Sequence, residues 1–269
     1  MKEAVIAFIG VGNMGSALAR AASKRVPGER LFLANRTAEK SGRLASELGA
    51  RAVSNAETAE RADILVLGVK PQGLPALLAE LAPVLDARRD RPPVLVSIAA
   101  GISIARVQEL AGHRWPVIAL KPNTPCAVGE GMSFYACSPE VSPEAEAAVL
   151  DALAASGRLS PLDEAQLDAA GVVAGCGPAF ADLFLEALAD GAVACGLPRA
   201  AAYEAAAQML LGAAKLALET GTHPGALKDA VCSPGGTTIQ GVRALERGGL
   251  RGAVMEAVIA AFEKNRSLA

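Results

Sequence analysis

Histidine is nearly absent from this 269-residue sequence, with His113 and His223 the only two. The five cysteines, Cys126, Cys137, Cys176, Cys195 and Cys232, form no CxxC pair and leave an odd count. Zinc sites and disulfide scaffolds need closer, paired spacing, so reduced thiols and no metal site are expected. Charge of one sign is equally scarce. The formal net charge is −2 and the pI about 5.8, and Arg88-Arg89-Asp90-Arg91 is the one dense cluster, beside a proline-rich turn. Such a balance gives no electrostatic reason to expect nucleic acid or an anionic membrane as partner. No apolar run reaches the length of a membrane span without a charge or a Pro or Gly break. The first apolar residues read as strand, so no secretory leader is expected and the cytoplasm is the expected compartment. No Ser-His-Asp or Cys-His set presents itself, which argues against hydrolysis and acyl transfer.

What is plentiful is apolar and small. Hydrophobic residues make up 52% of the chain and the mean hydropathy is +0.32, which suits one large domain or two modest ones with much buried helix. The most informative stretch is VIAFIGVGNMGSALA, residues 5–19. An apolar strand meets Gly10-Val11-Gly12-Asn13-Met14-Gly15, and a small-residue helix pattern follows. Gly10 permits a sharp turn, Gly12 leaves room for a phosphate to approach backbone, and Gly15 lets the helix pack closely on its strand. The helix N-terminus then offers unpaired N–H groups and its positive dipole end to a pyrophosphate.

The rest of the first half alternates strand and helix. Strands are expected at 31–34, 51–53, 63–69, 94–98, 116–120 and 131–136, with helices at 16–24, 38–48, 56–60, 74–85 and 104–110 between them. Continuously apolar strands separated by helices predict an α/β Rossmann domain, a doubly wound, mainly parallel sheet. From Pro143 the strand signals stop, and alanine-rich helical patterns are expected at 144–156, 164–175, 178–195, 199–220, 224–231, 237–247 and 251–266. Gly157, Pro161 and Asp163 mark a boundary, giving domains 1–160 and 161–269, the second all-α.

Cofactor choice is readable at the end of the second strand. An acidic residue there would hold both ribose hydroxyls and select NAD. Asn35-Arg36-Thr37 stands in its place, with no carboxylate to repel a 2′-phosphate and with Arg36 able to pair with it. NADPH is therefore expected ahead of NADH. Lys70-Pro71 closes a buried strand at the edge where α/β sheets bind ligands, facing nicotinamide or its ribose. Asn123 and Thr124 sit in a loop stiffened by Pro122 and Pro125, suited to hold a nicotinamide carboxamide. Near the other end, Ser233-Pro234-Gly235-Gly236-Thr237-Thr238 directly precedes a helix and forms a second anion site, of carboxylate size. One glycine turn per domain suggests a dinucleotide on the first and a small carboxylate substrate on the second, with hydride transfer as the reaction.

These segments resemble the Δ1-pyrroline-5-carboxylate reductase family over essentially the full length. The pieces that carry the likeness are FIGVGNMGSALA (8–19), NRT (35–37), VKPQ (69–72), SIAAGIS (97–103), KPNTP (121–125), GCGPAF (175–180), EALADGAVACGLPRAAA (186–202) and HPGALKDAVCSPGGTTIQGVRALE (223–246). The last is the most specific. The resemblance implies NAD(P)H-dependent reduction of a cyclic imine to L-proline by a homodimer, or a ring of dimers, whose helical domains interleave. Carried over by position, Gly10, Gly12, Asn13, Met14 and Gly15 hold the pyrophosphate, and Asn35, Arg36, Thr37 and Asn55 the adenosine end. Val69, Lys70, Pro71, Ala99, Ala100, Gly101, Asn123 and Thr124 surround the nicotinamide half. Ser233, Gly235, Gly236, Thr237 and Thr238 bind substrate, reached from the neighbouring subunit, with Thr238 hydrogen bonding the ring nitrogen. Family members commonly carry Arg and Met where Ala119 and Lys121 stand here. Two rival readings remain. A β-hydroxyacid dehydrogenase or related imine reductase shares the domain plan, with Lys215 or Lys228 as its available lysine. A regulatory nucleotide binder that has lost catalysis is the other.

Overall fold

The computed structural model describes residues 4–267, which divide into two compact units, one holding the residues up to 176 with those from 261 onward, the other residues 177–260. The first unit is built on an eight-stranded sheet. Strands β1 (Ile6–Ile9), β2 (Leu31–Ala34), β3 (Arg51–Ala52), β4 (Ile64–Leu67), β5 (Val94–Ser97) and β6 (Val117–Lys121) run parallel in the order β3-β2-β1-β4-β5-β6. The sheet continues with β7 (Gly131–Cys137), antiparallel to β6, and ends with β8 (Gly157–Pro161), parallel to β7. Every residue of β1, β2, β4 and β5 is buried, because helices cover both faces. One face packs Phe8, Leu33, Val66 and Val96 against Leu18 of α1 (Asn13–Ser23) and Leu44 of α2 (Ala38–Leu48). The other packs Ile9, Leu65 and Leu67 against Leu78 and Leu81 of α4 (Leu74–Asp86). Each such fully buried leucine contributes about 1.5–3 kcal/mol. Short helices α3 (Asn55–Arg61) and α5 (Ile104–Leu110), and then α6 (Pro143–Leu153), complete the layers. Strand order reverses between β1 and β4, which opens a crevice at their carboxyl ends.

Most elements lie where the sequence puts them, within one or two residues at either end, but α1 starts at Asn13, three residues before Ser16. Two expectations are corrected. Strands do not stop at Pro143. The expected helix over 144–156 ends at Leu153, and Gly157 turns the chain into β8, an edge strand closed by Pro161, where a missing N–H is tolerated. Nor are 164–175 and 178–195 separate helices. They form one, α7 (Glu164–Ala194), with Pro178 inside it. Pro178 has no N–H for the carbonyl of Ala174, but the side-chain amide of Asn123 donates to that oxygen at 3.1 Å. The orphaned acceptor is thus satisfied from the sheet side, and the helix continues.

The second unit contains the remainder of α7, then α8 (Arg199–Thr220), α9 (Pro224–Ala230), α10 (Thr237–Arg247) and most of α11 (Leu250–Arg266). No strand occurs among its described residues. Large apolar side chains stand open to solvent on these helices, among them Leu183 at 67%, Leu218 at 60% and Met255 at 61% exposure. By length and composition α7 is also apolar enough to cross a membrane, though Pro178, Asp182, Glu186 and Asp190 interrupt it.

Candidate functional site

The glycine turn between β1 and α1 is shaped by backbone crowding. A Cβ on Gly15 would lie 2.1 Å from the Gly10 carbonyl oxygen, and one on Gly68, at the end of β4, 2.3 Å from the same atom. Three glycines therefore meet where β1, β4 and α1 touch, and Gly10 itself sits at φ +96°, open to glycine at little cost. Gly12 differs. It faces open space, with nothing within 4 Å of an added Cβ. It is also the N-cap of α1, no side chain caps that helix, and no acidic residue lies in its first turn. The first-turn N–H groups and the positive dipole end are thus left for an anion. An uncapped helix start beneath an open glycine fits a dinucleotide pyrophosphate.

Asn35 supports this turn from the end of β2. Its Oδ1 accepts from Val11 N at 3.2 Å, and its Nδ2 donates to the Thr37 carbonyl at 3.1 Å. Its side chain thereby ties the adenosine-side loop to the glycine turn. Thr37 is the N-cap of α2, again without a side-chain cap bond. A cavity of about 390 Å³ opens between these helix starts, lined by Gly12, Asn13, Thr37, Lys40 and Arg43 among others. Arg36 is exposed and makes no ion pair among the described residues, whereas Arg43 pairs with Glu39 and Arg20 with Glu47. Asn55, the first residue of α3, points its amide at the Glu80 carboxylate, 3.2 Å away.

The carboxyl ends of β4, β5 and β6 carry the other expected contacts. Val69 and Lys70 follow β4, with Lys70 exposed and Pro71 starting a single 3₁₀ turn. The Ala99-Ala100-Gly101 turn follows β5, with Gly101 at φ +69°. Asn123 and Thr124 follow β6. A mainly apolar cleft of about 400 Å³ lies here, lined by Met14, Ala100, Gly101, Lys121, Pro122 and the start of α7. The amide of Asn123, expected to face a carboxamide, is 8% exposed and committed elsewhere: besides donating to Ala174, its Oδ1 accepts from Met132 N at 2.9 Å. Thr124 is exposed.

In the second unit, Ser233-Pro234-Gly235-Gly236-Thr237-Thr238 repeats the pattern of the first turn. Gly235 is at φ +70°, Gly236 is the N-cap of α10 without a side-chain cap bond, and α10 has no acidic residue in its first turn. Gly236 N donates to the Ser233 carbonyl at 3.0 Å, and a Cβ there would meet the rotatable Ser233 Oγ at 2.4 Å and the Ser233 carbonyl oxygen at 3.1 Å. Ser233, Gly235, Thr237 and Thr238 are exposed around this helix start.

Residues 164–268 match the family described as pyrroline-5-carboxylate reductase dimerisation, and residues 5–101 that described as NADP oxidoreductase, coenzyme F420-dependent. A pyrroline-5-carboxylate reductase of Escherichia coli (strain K12) is 40% identical over 99% of this chain and 98% of its own. The chain belongs to the pyrroline-5-carboxylate reductase family. A relative from Pisum sativum is likewise 40% identical, over 98% of this chain and 95% of its own. Among solved structures, the pyrroline carboxylate reductase of Plasmodium falciparum with NADP bound superposes with a TM-score of 0.87 at 32% identity, covering 99% of this chain and 98% of that one. That of Coxiella burnetii superposes with a TM-score of 0.89 at 29% identity, covering 99% of each.

Two features of this family member escaped the sequence reading. Gly68 is a third partner in the glycine contact, signalled only by a lone glycine after an apolar strand, a pattern that marks close backbone approach. The second is a contact made by Lys121. Its ammonium donates to the Ala99 carbonyl at 2.9 Å, and burial pushes its pKa below the ordinary lysine value, against the pull of Asp168 and Glu164.

Proposed function

We propose that the chain reduces the cyclic imine L-1-pyrroline-5-carboxylate to L-proline, the last step of proline biosynthesis, in the cytoplasm, with NADPH preferred and NADH usable. The observation that carries this reading is the pair of glycine-capped helix starts, one in each unit, both lacking a side-chain cap. Two reactants, each with an anionic group, call for two such sites. The first domain, residues 1–160, takes the dinucleotide at Gly10, Gly12, Asn13, Met14 and Gly15, with Asn35, Arg36, Thr37 and Asn55 at its adenosine end. Arg36, exposed and without an ion pair among the described residues, and Lys40, which lines the cavity between the two helix starts, stand ready for a 2′-phosphate. Lys70, Ala100, Gly101 and Thr124 frame the nicotinamide half. The second domain, residues 161–269, takes the substrate carboxylate at Ser233, Gly235, Gly236 and Thr237, and the exposed apolar faces of its helices pair two copies into a homodimer or a ring of dimers.

No strong acid is needed. A cyclic imine nitrogen is basic enough to hold a proton near neutrality, and its carbon then already attracts a hydride. The bound reduced dinucleotide supplies that hydride. The proton remains on nitrogen as the C=N bond becomes C–N, which completes the amine of proline. The protein contributes proximity and orientation, and Thr238 accepts or donates at the ring nitrogen to place its proton. The acid-dehydrogenase alternative has less support, since Lys215 is paired with Glu219 at 3.7 Å and Lys228 with Asp229 at 2.7 Å on the surface of the second unit. Oxidation of NADPH, followed with pyrroline-5-carboxylate and compared with NAD reduction by a 3-hydroxy acid, tests the reading. Turnover of the imine alone is expected. Turnover of the hydroxy acid alone would refute it, and NADPH binding without turnover of either would favour a regulatory protein.

A further inference from the structure

A lysine that ends a strand in an α/β sheet ordinarily extends into water. Lys121 does not. It closes β6 directly before Pro122, is half-buried, and turns its Nζ to the Ala99 carbonyl, 2.9 Å away. Its stem lies along α7, where a Cβ added to Gly171 would meet Lys121 Cβ and Cγ at 3.5 Å. Ala99 is 2% exposed and begins the turn from β5 toward α5. That turn is held from its far side as well, since Ile104 N donates to Glu164 of α7 at 2.6 Å. A buried carbonyl in a short turn needs a partner, and an ammonium supplies a charge-assisted one, stronger than a neutral donor. Burial lowers the lysine pKa, and the nearby carboxylates of Asp168 and Glu164 oppose the shift. The same Lys121, with Met14, Ala100, Gly101 and Pro122, lines the cleft at the carboxyl ends of β5 and β6.

We propose that Lys121 is a positioning residue for the nicotinamide half of the dinucleotide: by bonding the Ala99 carbonyl it fixes the Ala99-Ala100-Gly101 turn against the end of β6 and sets the wall of that cleft. The inference rests on the dinucleotide assignment above. The adenosine end, held by the loop after β2, lies on the other side of β1 in the sheet and does not share this wall. Loss of the ammonium should therefore weaken one half of the ligand and spare the other.

The test is direct binding to the full-length protein, by titration calorimetry, of NADPH and of 2′-phospho-ADP-ribose, which lacks the nicotinamide ring. Lys121→Met keeps an unbranched stem and removes the donor; Lys121→Arg keeps a donor. The loss of one charge-assisted bond predicts NADPH about tenfold weaker in Lys121→Met, the fragment within about twofold of wild type, and Lys121→Arg within about threefold for both. Unchanged NADPH affinity in Lys121→Met would overturn the inference. So would equal losses for NADPH and the fragment, which mark a general loosening, or a Lys121→Arg as weak as Lys121→Met. Failure of the wild type to bind either ligand would instead bring down the dinucleotide assignment and the inference with it.

Discussion

Gly12 and Gly15 stand three residues apart in one turn, yet the structure gives them opposite roles, and alanine at each separates the two. At Gly15 a methyl group would arrive 2.1 Å from the Gly10 carbonyl oxygen, over 1 Å inside ordinary contact, with backbone rather than a flexible side chain as the obstacle. Alanine in a helix normally gains about 1 kcal/mol over glycine. Forcing α1 away from β1 costs more, about 1–3 kcal/mol for overpacking and at the upper end where only backbone can yield. A net loss of about 1–2 kcal/mol is expected, which for a chain of this size lowers Tm by about 2–8 °C. At Gly12 nothing lies within 4 Å, so the methyl meets no protein atom. Its cost to folding is limited to a poorer N-cap, about 0.5–1 kcal/mol. It does stand where a phosphate must approach the backbone, and affinity for NADPH should fall about 10- to 100-fold. Differential scanning fluorimetry and NADPH fluorescence titration on both variants read the two effects. A Gly15→Ala protein as stable as wild type, or a Gly12→Ala protein with undiminished NADPH affinity, would falsify the division of labour.

Two further substitutions probe the neighbouring contacts. Arg36→Ala should weaken NADPH by about tenfold or more while changing NADH little, since one charge-assisted contact to a 2′-phosphate is lost; equal losses in the two Kd values would refute a phosphate contact at Arg36. Asn123→Ala leaves the Ala174 carbonyl and Met132 N without their partner and should cost about 2–4 kcal/mol in chemical denaturation. Because Pro178→Ala returns an N–H to the Ala174 carbonyl, the double variant should recover about 1 kcal/mol relative to the sum of the singles; strict additivity would show that Asn123 does not compensate for the proline.

The parts of the fold written in apolar runs were legible in the sequence. Buried strands such as Ile64–Leu67 and the stop of α2 at Gly49, φ +64°, follow from local pattern alone. The features that were not legible depend on distant partners. β8 reads as a linker because Gly157-Arg158-Leu159-Ser160-Pro161 has neither an apolar run nor clear alternation, and only pairing with β7 makes it a strand. Pro178 reads as a helix break because the amide that repairs the break comes from Asn123, 51 residues before the Ala174 carbonyl that it bonds. In a loop between prolines, as at Asn123, a buried amide and a binding amide look alike in sequence. Both glycine turns, by contrast, are local devices: α10 starts at Thr237 as the sequence expects, and α1, uncapped like it, starts three residues before the expected Ser16.

Substrate binding depends most directly on the second of those turns. With pyrroline-5-carboxylate varied at saturating NADPH, Thr238→Ala should lower kcat/KM by about tenfold or more, the loss of one hydrogen bond to a charged group in the reacting complex. NADPH binding to the same variant should remain within about twofold of wild type, because Thr238 lies in the unit that does not contain the β1–α1 turn. An unchanged kcat/KM for the imine would contradict the placement of the substrate at Ser233-Pro234-Gly235-Gly236-Thr237-Thr238.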